Sequence, residues 1–385
     1  MARTMLAHSA TAANGGSQDK DGGVGAATQA SVLTTPQPSR HPSPTTKATT
    51  LGYLIFERPD LDLAERFLTD FGLRVVSRDA DRLFLRGTGE APYCYVALRA
   101  EQPRFAGLGF TVASLDDLRK LSRIPGASAI EDIDWPGGGQ RVRLTDPAGF
   151  RVDAVWGQTP AQPLAHRAPI ALNAPDRIVR VNDTQRPPGA PPEVTKLGHI
   201  VLEVVDYQVT SAWYTQHFGL IPSDICVLPD GSPGATFFRL DLGDTPADHH
   251  TIAMAQSVVR RYSHSAFELV DPDAVGMGQQ VMRNGGWQHS WGIGRHLLGS
   301  QIFDYWQDPW GSKHEHYCDG DVFTSEVPAG IFPISREAMA QWGPAVPKSF
   351  TKLDLGLKVI GQIVRNVRRS PDLSFGKLRE LLKLV

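Results

Sequence analysis

Two stretches of alternating apolar residues start alike, Leu51-Gly52-Tyr53-Leu54-Ile55-Phe56 and Leu197-Gly198-His199-Ile200-Val201-Leu202. Period-two alternation predicts half-buried strands. Each leads, through Asp62 or Asp206, into a helical pattern, Ala64 to Asp70 and Ser211 to His217. Both helices finish at Phe-Gly-Leu (Phe71-Gly72-Leu73 and Phe218-Gly219-Leu220), where glycine suits a left-handed stop. Further alternating runs, Arg82-Leu83-Phe84-Leu85, Tyr93-Cys94-Tyr95-Val96-Ala97-Leu98 and Ala235-Thr236-Phe237-Phe238-Arg239-Leu240, predict short strands. The halves also close alike, on Asp146-Pro147-Ala148-Gly149-Phe150-Arg151-Val152-Asp153 and Asp308-Pro309-Trp310-Gly311-Ser312-Lys313-His314-Glu315. The chain is therefore an internal repeat of α+β class, each half reading β-α-β-β-β, twice over. Such modules pair so that their sheets curve around a cleft.

Outside the repeat the pattern fails in three places. Residues 1–48 are Ala, Gly, Ser, Thr, Gln and Pro with almost no large apolar side chains, and a disordered tail is expected. A proline-rich linker is expected over 158–194, between an N-terminal domain at 49–157 and a C-terminal catalytic domain at 195–320. The extension at 321–385 is expected to be partly helical. Its last part, Lys348 to Val385, carries nine Lys or Arg against three acids, with Leu353, Leu357, Ile360, Val364 and Val367 at helical spacing. An amphipathic helix packed on the body or on a second subunit accounts for this better than a membrane-surface helix.

Composition narrows the function classes. A net charge of -2 over 385 residues gives no field to attract nucleic acid or an anionic membrane. No segment approaches a membrane span, and the first residues lack the apolar core of a signal peptide. Cys94, Cys226 and Cys318 are too few and scattered for a disulfide framework, so a soluble protein in a reducing cytoplasm is expected. Cys318 reads as a small buried apolar side chain.

Candidate chemistry lies in the second half. His199, His264 and Glu315 fall on repeat-equivalent strands, where the first half has Tyr53, Gly107 and Asp153. Two neutral imidazoles and one carboxylate suit a non-haem Fe(II) that must keep positions open for dioxygen and substrate. Each histidine alone would more often be a satisfied core residue; their shared place in the repeat changes that. His314 and His316 are a rival pair, because alternate strand residues share a face. The repeat aligns Asp153 with Glu315 and so favours the glutamate. Trp287, Trp291, Trp306 and Trp310 either line a pocket or pack the core.

Gly294-Arg295-His296, Tyr305-Trp306-Gln307-Asp308-Pro309-Trp310-Gly311 and Glu315 resemble the recurrent pattern of type I extradiol ring-cleaving dioxygenases of the vicinal oxygen chelate superfamily. The match covers roughly residues 50–320 and departs at Asp304, where the family has an apolar residue. The resemblance implies two curved-sheet domains, with the N-terminal one lacking a metal. It also implies Fe(II), occasionally Mn(II), on His199, His264 and Glu315. His250 is similar to the family's active-site histidine, an acid/base assisting O–O cleavage, with its neighbour His249 as the alternative. His296 and Tyr305 resemble the pair that orients the diol. The implied partners are a small aromatic diol and O2, and the expected assembly is a homo-oligomer. Two other readings stay open: another activity of the superfamily, glyoxalase-like or hydroxyphenylpyruvate-type, and a metal-free aromatic-binding protein. The loops 227–234 and 284–291 are expected to shape the pocket.

Overall fold

The computed structural model describes residues 35–336, 339–351 and 356–384. The first half holds two modules: β1 (Ala48–Arg58), α1 (Leu61–Asp70), β2 (Arg74–Arg78), β3 (Arg82–Arg86) and β4 (Tyr95–Arg99), then β5 (Arg104–Val112), α2 (Leu115–Leu121), β6 (Glu131–Asp132), β7 (Gln140–Thr145) and β8 (Arg151–Trp156). The second half repeats them: β9 (Val194–Val204), α3 (Tyr207–Phe218), β10 (Ile221–Val227), β11 (Pro233–Arg239), a short β12 (Ala247–Asp248) and β13 (Ile252–Gln256), then β14 (Arg261–Leu269), α4 (Pro272–Asn284), β15 (Gln288–Arg295), β16 (Ile302–Gln307) and β17 (Lys313–Cys318). The remainder is β18 (Val322–Phe323), β19 (Gly330–Pro333), α5 (Lys348–Thr351), α6 (Leu357–Arg369) and α7 (Phe375–Leu384).

The two curved sheets have one topology. The first runs β2-β3-β4-β1-β5-β8-β7-β6, and the second runs β10-β11-β13-β9-β14-β17-β16-β15 with β19 added beyond β10. In each, the first strands of the two modules pair antiparallel at the centre, β1 with β5 and β9 with β14. The last strand of each module lies parallel outside them. Local chemistry agrees with this layout. Asp60 caps α1 by accepting from the Leu63 N–H. The glycines of both Phe-Gly-Leu motifs hold positive φ, 108° at Gly72 and 65° at Gly219, which only glycine adopts cheaply.

A continuous core joins the halves through Phe56, Phe67, Phe71, Phe267 and Trp306. Phe71 also stacks on His316 at 3.8 Å and its carbonyl accepts from His316 Nε2–H. At the same junction Arg58 is buried against Asp308 at 2.6 Å, and Asp146, the repeat equivalent of Asp308, accepts from the Tyr214 hydroxyl.

The expected disorder up to residue 48 does not hold for residues 35–48. Gln37 donates to the Gly231 carbonyl, Arg40 pairs with Asp241, Thr45 N–H donates to Gln216 O, and Ala48 opens β1. Composition counts only what a segment can bury by itself, whereas these residues use partners from the second half. Residues 1–34 and Leu353 lie outside the described residues. The extension is helical in α5, α6 and α7, yet β19 also joins the second sheet beyond residue 320. Of the expected stripe on α6, Val367 is buried, while Leu357, Ile360 and Val364 stay exposed. No described helix is long and apolar enough to cross a membrane.

Candidate metal centre and its cavity

His199, His264 and Glu315 stand on the adjacent central strands β9, β14 and β17. Ala266 of β14 lies opposite His199 on one side and Glu315 on the other, and His264 lies opposite Val201. Pleat alternation then turns the three side chains to one face. One nitrogen or oxygen from each lies within 4.8 Å of the others. His199 Nε2 and His264 Nε2 are 3.3 and 3.6 Å from Glu315 Oε2. Both Glu315 oxygens are fully buried and lack a hydrogen-bond partner among the described residues. An ionised carboxylate without donors is costly in a protein interior. A divalent cation facing it and two imidazoles would remove that cost, so the donor set fits the metal that the sequence implies.

The electrostatics agree. Burial lowers His264 to about 3 despite Glu315, and with His199 as second cause it lowers His250 well below its ordinary value. Both rings are therefore neutral at physiological pH, the form in which imidazole binds metals and accepts protons.

His314 and His316 face the other side of β17. His314 meets Ser265 Oγ at 3.0 Å and Phe56, while His316 donates to the Phe71 carbonyl. They pack the junction between halves. In the first half, the equivalent Asp153 accepts from the Tyr53 hydroxyl at 2.8 Å and from both ends of the Arg151 guanidinium. Gly107 leaves room for Arg151, since an added Cβ would lie 3.0 Å from Arg151 Cβ. Tyr53, Phe84, Tyr93 and Trp135 fill that sheet's inner face. Arginine neutralises the carboxylate there and aromatic rings occupy the space of a cavity.

A cavity of about 290 Å³ opens over the second sheet, and every residue lining it comes from position 199 or later. His199, His264, His250, His296 and Tyr305 line it; His249 does not. His249 sits behind His250: its Nε2 meets Asp224 Oδ2 at 2.7 Å and its Nδ1 meets His250 Nδ1 at 3.0 Å. The carboxylate can only accept, so His249 Nε2–H donates to it. A neutral His249 must then accept from His250 Nδ1–H, leaving the His250 Nε2 lone pair unprotonated. Across the cavity, His296 Nδ1–H donates to the Met339 carbonyl at 2.8 Å, so its Nε2 accepts from the Tyr305 hydroxyl at 2.9 Å. The Tyr305 oxygen keeps lone pairs to offer a ligand.

Asp304 does not disturb this arrangement. It is buried behind the site, where Trp306 Nε1, His289 Nε2 and Gln279 Nε2 all donate to it. None of the four tryptophans lines the cavity. Trp291 supports it from behind, stacked on Tyr305 at 5.4 Å, and the other three pack or hydrogen-bond elsewhere. Gly234 of the 227–234 loop borders the cavity, but nothing from 284–291 does. Sequence reasoning missed Asp224 and the outer wall, which Ile334, Phe350, Leu378 and Leu381 of the C-terminal extension supply. Neither carries a local motif. A larger, more open cleft of about 750 Å³ at Arg104, Phe150, Arg260 and Trp310 contains none of the candidate residues.

Comparison with known proteins identifies the family. Residues 196–315 match the model of the glyoxalase/bleomycin resistance protein/dioxygenase superfamily. The chain is 31% identical over 312 residues to metapyrocatechase 2 of Cupriavidus necator, covering 78% of this chain and 91% of that protein. Among solved structures, it is similar to homoprotocatechuate 2,3-dioxygenase from Brevibacterium fuscum in complex with 3,4-dihydroxyphenylacetate (TM-score 0.67, 18% identity, 82% of this chain and 94% of that one). It is similarly close to a Mn(II)-bound glyoxalase from Novosphingobium aromaticivorans (TM-score 0.67, 21% identity, 81% and 97%). These two likenesses concern the fold; the metapyrocatechase match carries the family. The chain belongs to the extradiol ring-cleaving dioxygenases of the glyoxalase/bleomycin resistance protein/dioxygenase superfamily.

Proposed function

We propose that this protein opens catechol-type aromatic diols next to the diol (meta cleavage) with O2, using Fe(II) held by His199, His264 and Glu315. The observation that carries the proposal is the buried Glu315 carboxylate without donors, facing the imidazoles of His199 and His264 at the wall of a cavity. Mn(II) suits the same ligands. Bound there, the metal supplies positive charge and open positions at which diol and dioxygen meet.

The chain's own groups do the rest. The Tyr305 oxygen accepts a hydrogen bond from a diol hydroxyl while its own O–H donates to His296 Nε2, so the pair orients the ring and can relay the proton the diol loses. His250, with its Nε2 lone pair free, takes a proton at that atom and returns it to the oxygen side of the reaction. Asp224 and His249 hold that tautomer in place. The apolar walls exclude water, which strengthens each of these interactions. The His296–Tyr305 pair favours a diol substrate over glyoxalase-like or hydroxyphenylpyruvate-type chemistry, and the ligand set speaks against a metal-free binder. A cytoplasmic homo-oligomer acting on a small molecule completes the proposal; the net charge of -2 supports the absence of a nucleic-acid partner.

The test is to load the purified protein anaerobically with Fe(II), add simple, biaryl and polycyclic catechols, and admit oxygen. A yellow ring-fission product with matching oxygen uptake is expected. No colour and no uptake with any diol would overturn the proposal.

A further inference from the structure

The cavity is larger than an unsubstituted catechol needs, close to the lower end of the ~300–1,000 Å³ typical of sites that enclose drug-sized ligands. Away from the candidate ligands its wall is mostly apolar, with Phe237, Val258, Ile334, Phe350, Leu378 and Leu381 among its members. The charged groups that reach it are engaged. Arg261 Nε donates to Glu203 Oε2 at 2.7 Å and its Nη2 to the Thr351 carbonyl, and Arg336 Nη2 donates to the Val346 carbonyl. A carboxylated substituent would meet an Arg261 already paired with the Glu203 carboxylate and an Arg336 already turned to the Val346 carbonyl, and a charge buried against the rest of the wall would go unpaired at high cost.

The residues that close the cavity come from two places far apart in sequence. Phe350, on α5, packs edge-on to Tyr305 at 4.9 Å. Leu378 and Leu381, on α7, pack with Val205 of the body and Val367 of α6 while also lining the cavity. The outer wall is thus built to offer apolar surface to whatever projects from a ring seated at His296 and Tyr305.

Resting on the extradiol reading above, we infer that the diol carries a bulky, uncharged apolar substituent, alkyl or aryl. Phe350, Leu378 and Leu381 are specificity-determining residues that receive it. Burial of such a substituent raises affinity in proportion to the apolar area covered, roughly three- to fourfold for each fully buried methylene.

The experiment uses the full-length, Fe(II)-loaded protein and four probes: catechol, a butylcatechol, a dihydroxybiphenyl and 3,4-dihydroxyphenylacetate. Anaerobic dissociation constants and kcat/KM are measured for each. The butyl and biaryl diols are expected to bind and turn over at least tenfold better than catechol, and the carboxylated diol worse than catechol. The variants Leu378→Asp and Leu381→Asp should lower the ratio of butylcatechol to catechol kcat/KM at least tenfold. Leu381→Phe, which keeps the apolar packing of α7 but shortens the cavity, should lower that ratio and leave the melting temperature in place. Equal values for catechol and its alkyl or aryl derivatives, preference for the carboxylated diol, or an unchanged ratio in all three variants would each overturn the inference while leaving ring cleavage intact. Cleavage of none of the four would instead remove the underlying reading, and this inference with it.

Discussion

Three consecutive ionisable residues on β17, His314, Glu315 and His316, have opposite fates because side chains alternate across a strand. Glu315 faces the cavity side, and its neighbours face the hydrophobic junction. Glu315→Ala is therefore expected to weaken Fe(II) or Mn(II) binding by more than the ~10–100-fold that losing even an outer-shell partner costs. His314→Ala should keep the metal and lose stability instead. Metal content after anaerobic loading, read beside the melting temperature, separates the two outcomes; a metal-free His314→Ala protein would refute the assignment. His250 differs from His249 in the same way, one lining the cavity and the other donating its Nε2–H to Asp224. His250→Asn should retain metal and diol binding yet lose about 10²–10⁴ in kcat, the usual worth of a positioned acid/base. Stopped-flow turnover of a pre-formed anaerobic diol complex measures this, and a kcat within twofold of the parent's would exclude the role.

At the scale of elements, the glycine before His199 has a purpose the strand pattern only hints at. A Cβ at Gly198 would overlap the ring and hydroxyl of Tyr317 on the β17 side of the sheet. Gly198→Ala must push β9 or Tyr317 aside, and overpacking of this kind costs about 1–3 kcal/mol. Because His199 is the next residue, metal affinity should fall together with stability. Parallel denaturation and metal titration check this, and full metal affinity in a destabilised Gly198→Ala protein would show that the two are uncoupled. The strand-helix-strand order and the glycine stops were legible in the chain, since both depend on local periodicity and backbone freedom. The pairing of modules around β9 and β14 was not, because register is set by contacts across the sheet.

For the whole molecule, the junction between halves depends on buried polar contacts in repeat-equivalent positions. Arg58 is fully buried against Asp308, and removing one partner of such a pair costs about 3–5 kcal/mol, since the other is left charged and unpaired. Arg58→Ala should show that loss in urea denaturation; a change below 1 kcal/mol would mean that solvent already relieves the pair. Asp146 is the pH-sensitive counterpart. Burial raises its carboxyl from 3.8 to about 6. A folded-state value above the unfolded one means that the native state binds the proton more tightly. Its contribution is then fully present below about 3.8 and is lost as pH rises through about 6. Relative to Asp146→Asn, the parent should gain about 2 kcal/mol between pH 7 and pH 4, most of the roughly 3 kcal/mol that the shift from 3.8 to about 6 is worth once pH falls well below 3.8. Paired denaturation curves test the sign, and a parent that loses stability against Asp146→Asn on acidification would contradict it.

What the sequence determined by itself was the repeated α+β pattern, the ligand-type residues at equivalent strand positions, and the Gly294-to-Glu315 spacing that joins His296 to Tyr305. These are periodic or motif-borne properties, written in residues close along the chain. Tertiary structure decided what depends on distant neighbours. The first half's Asp153 is neutralised by Arg151 and hydrogen-bonded by the Tyr53 hydroxyl, and aromatic rings pack that sheet's inner face, while the other sheet keeps a cavity. Residues 35–48 find partners in the second half, and Phe350, Leu378 and Leu381 return to wall the cavity. Asp224, with no motif around it, reaches His249 only because β10 folds back beside it. Packing and burial act between residues that the chain separates widely, and no local pattern encodes them.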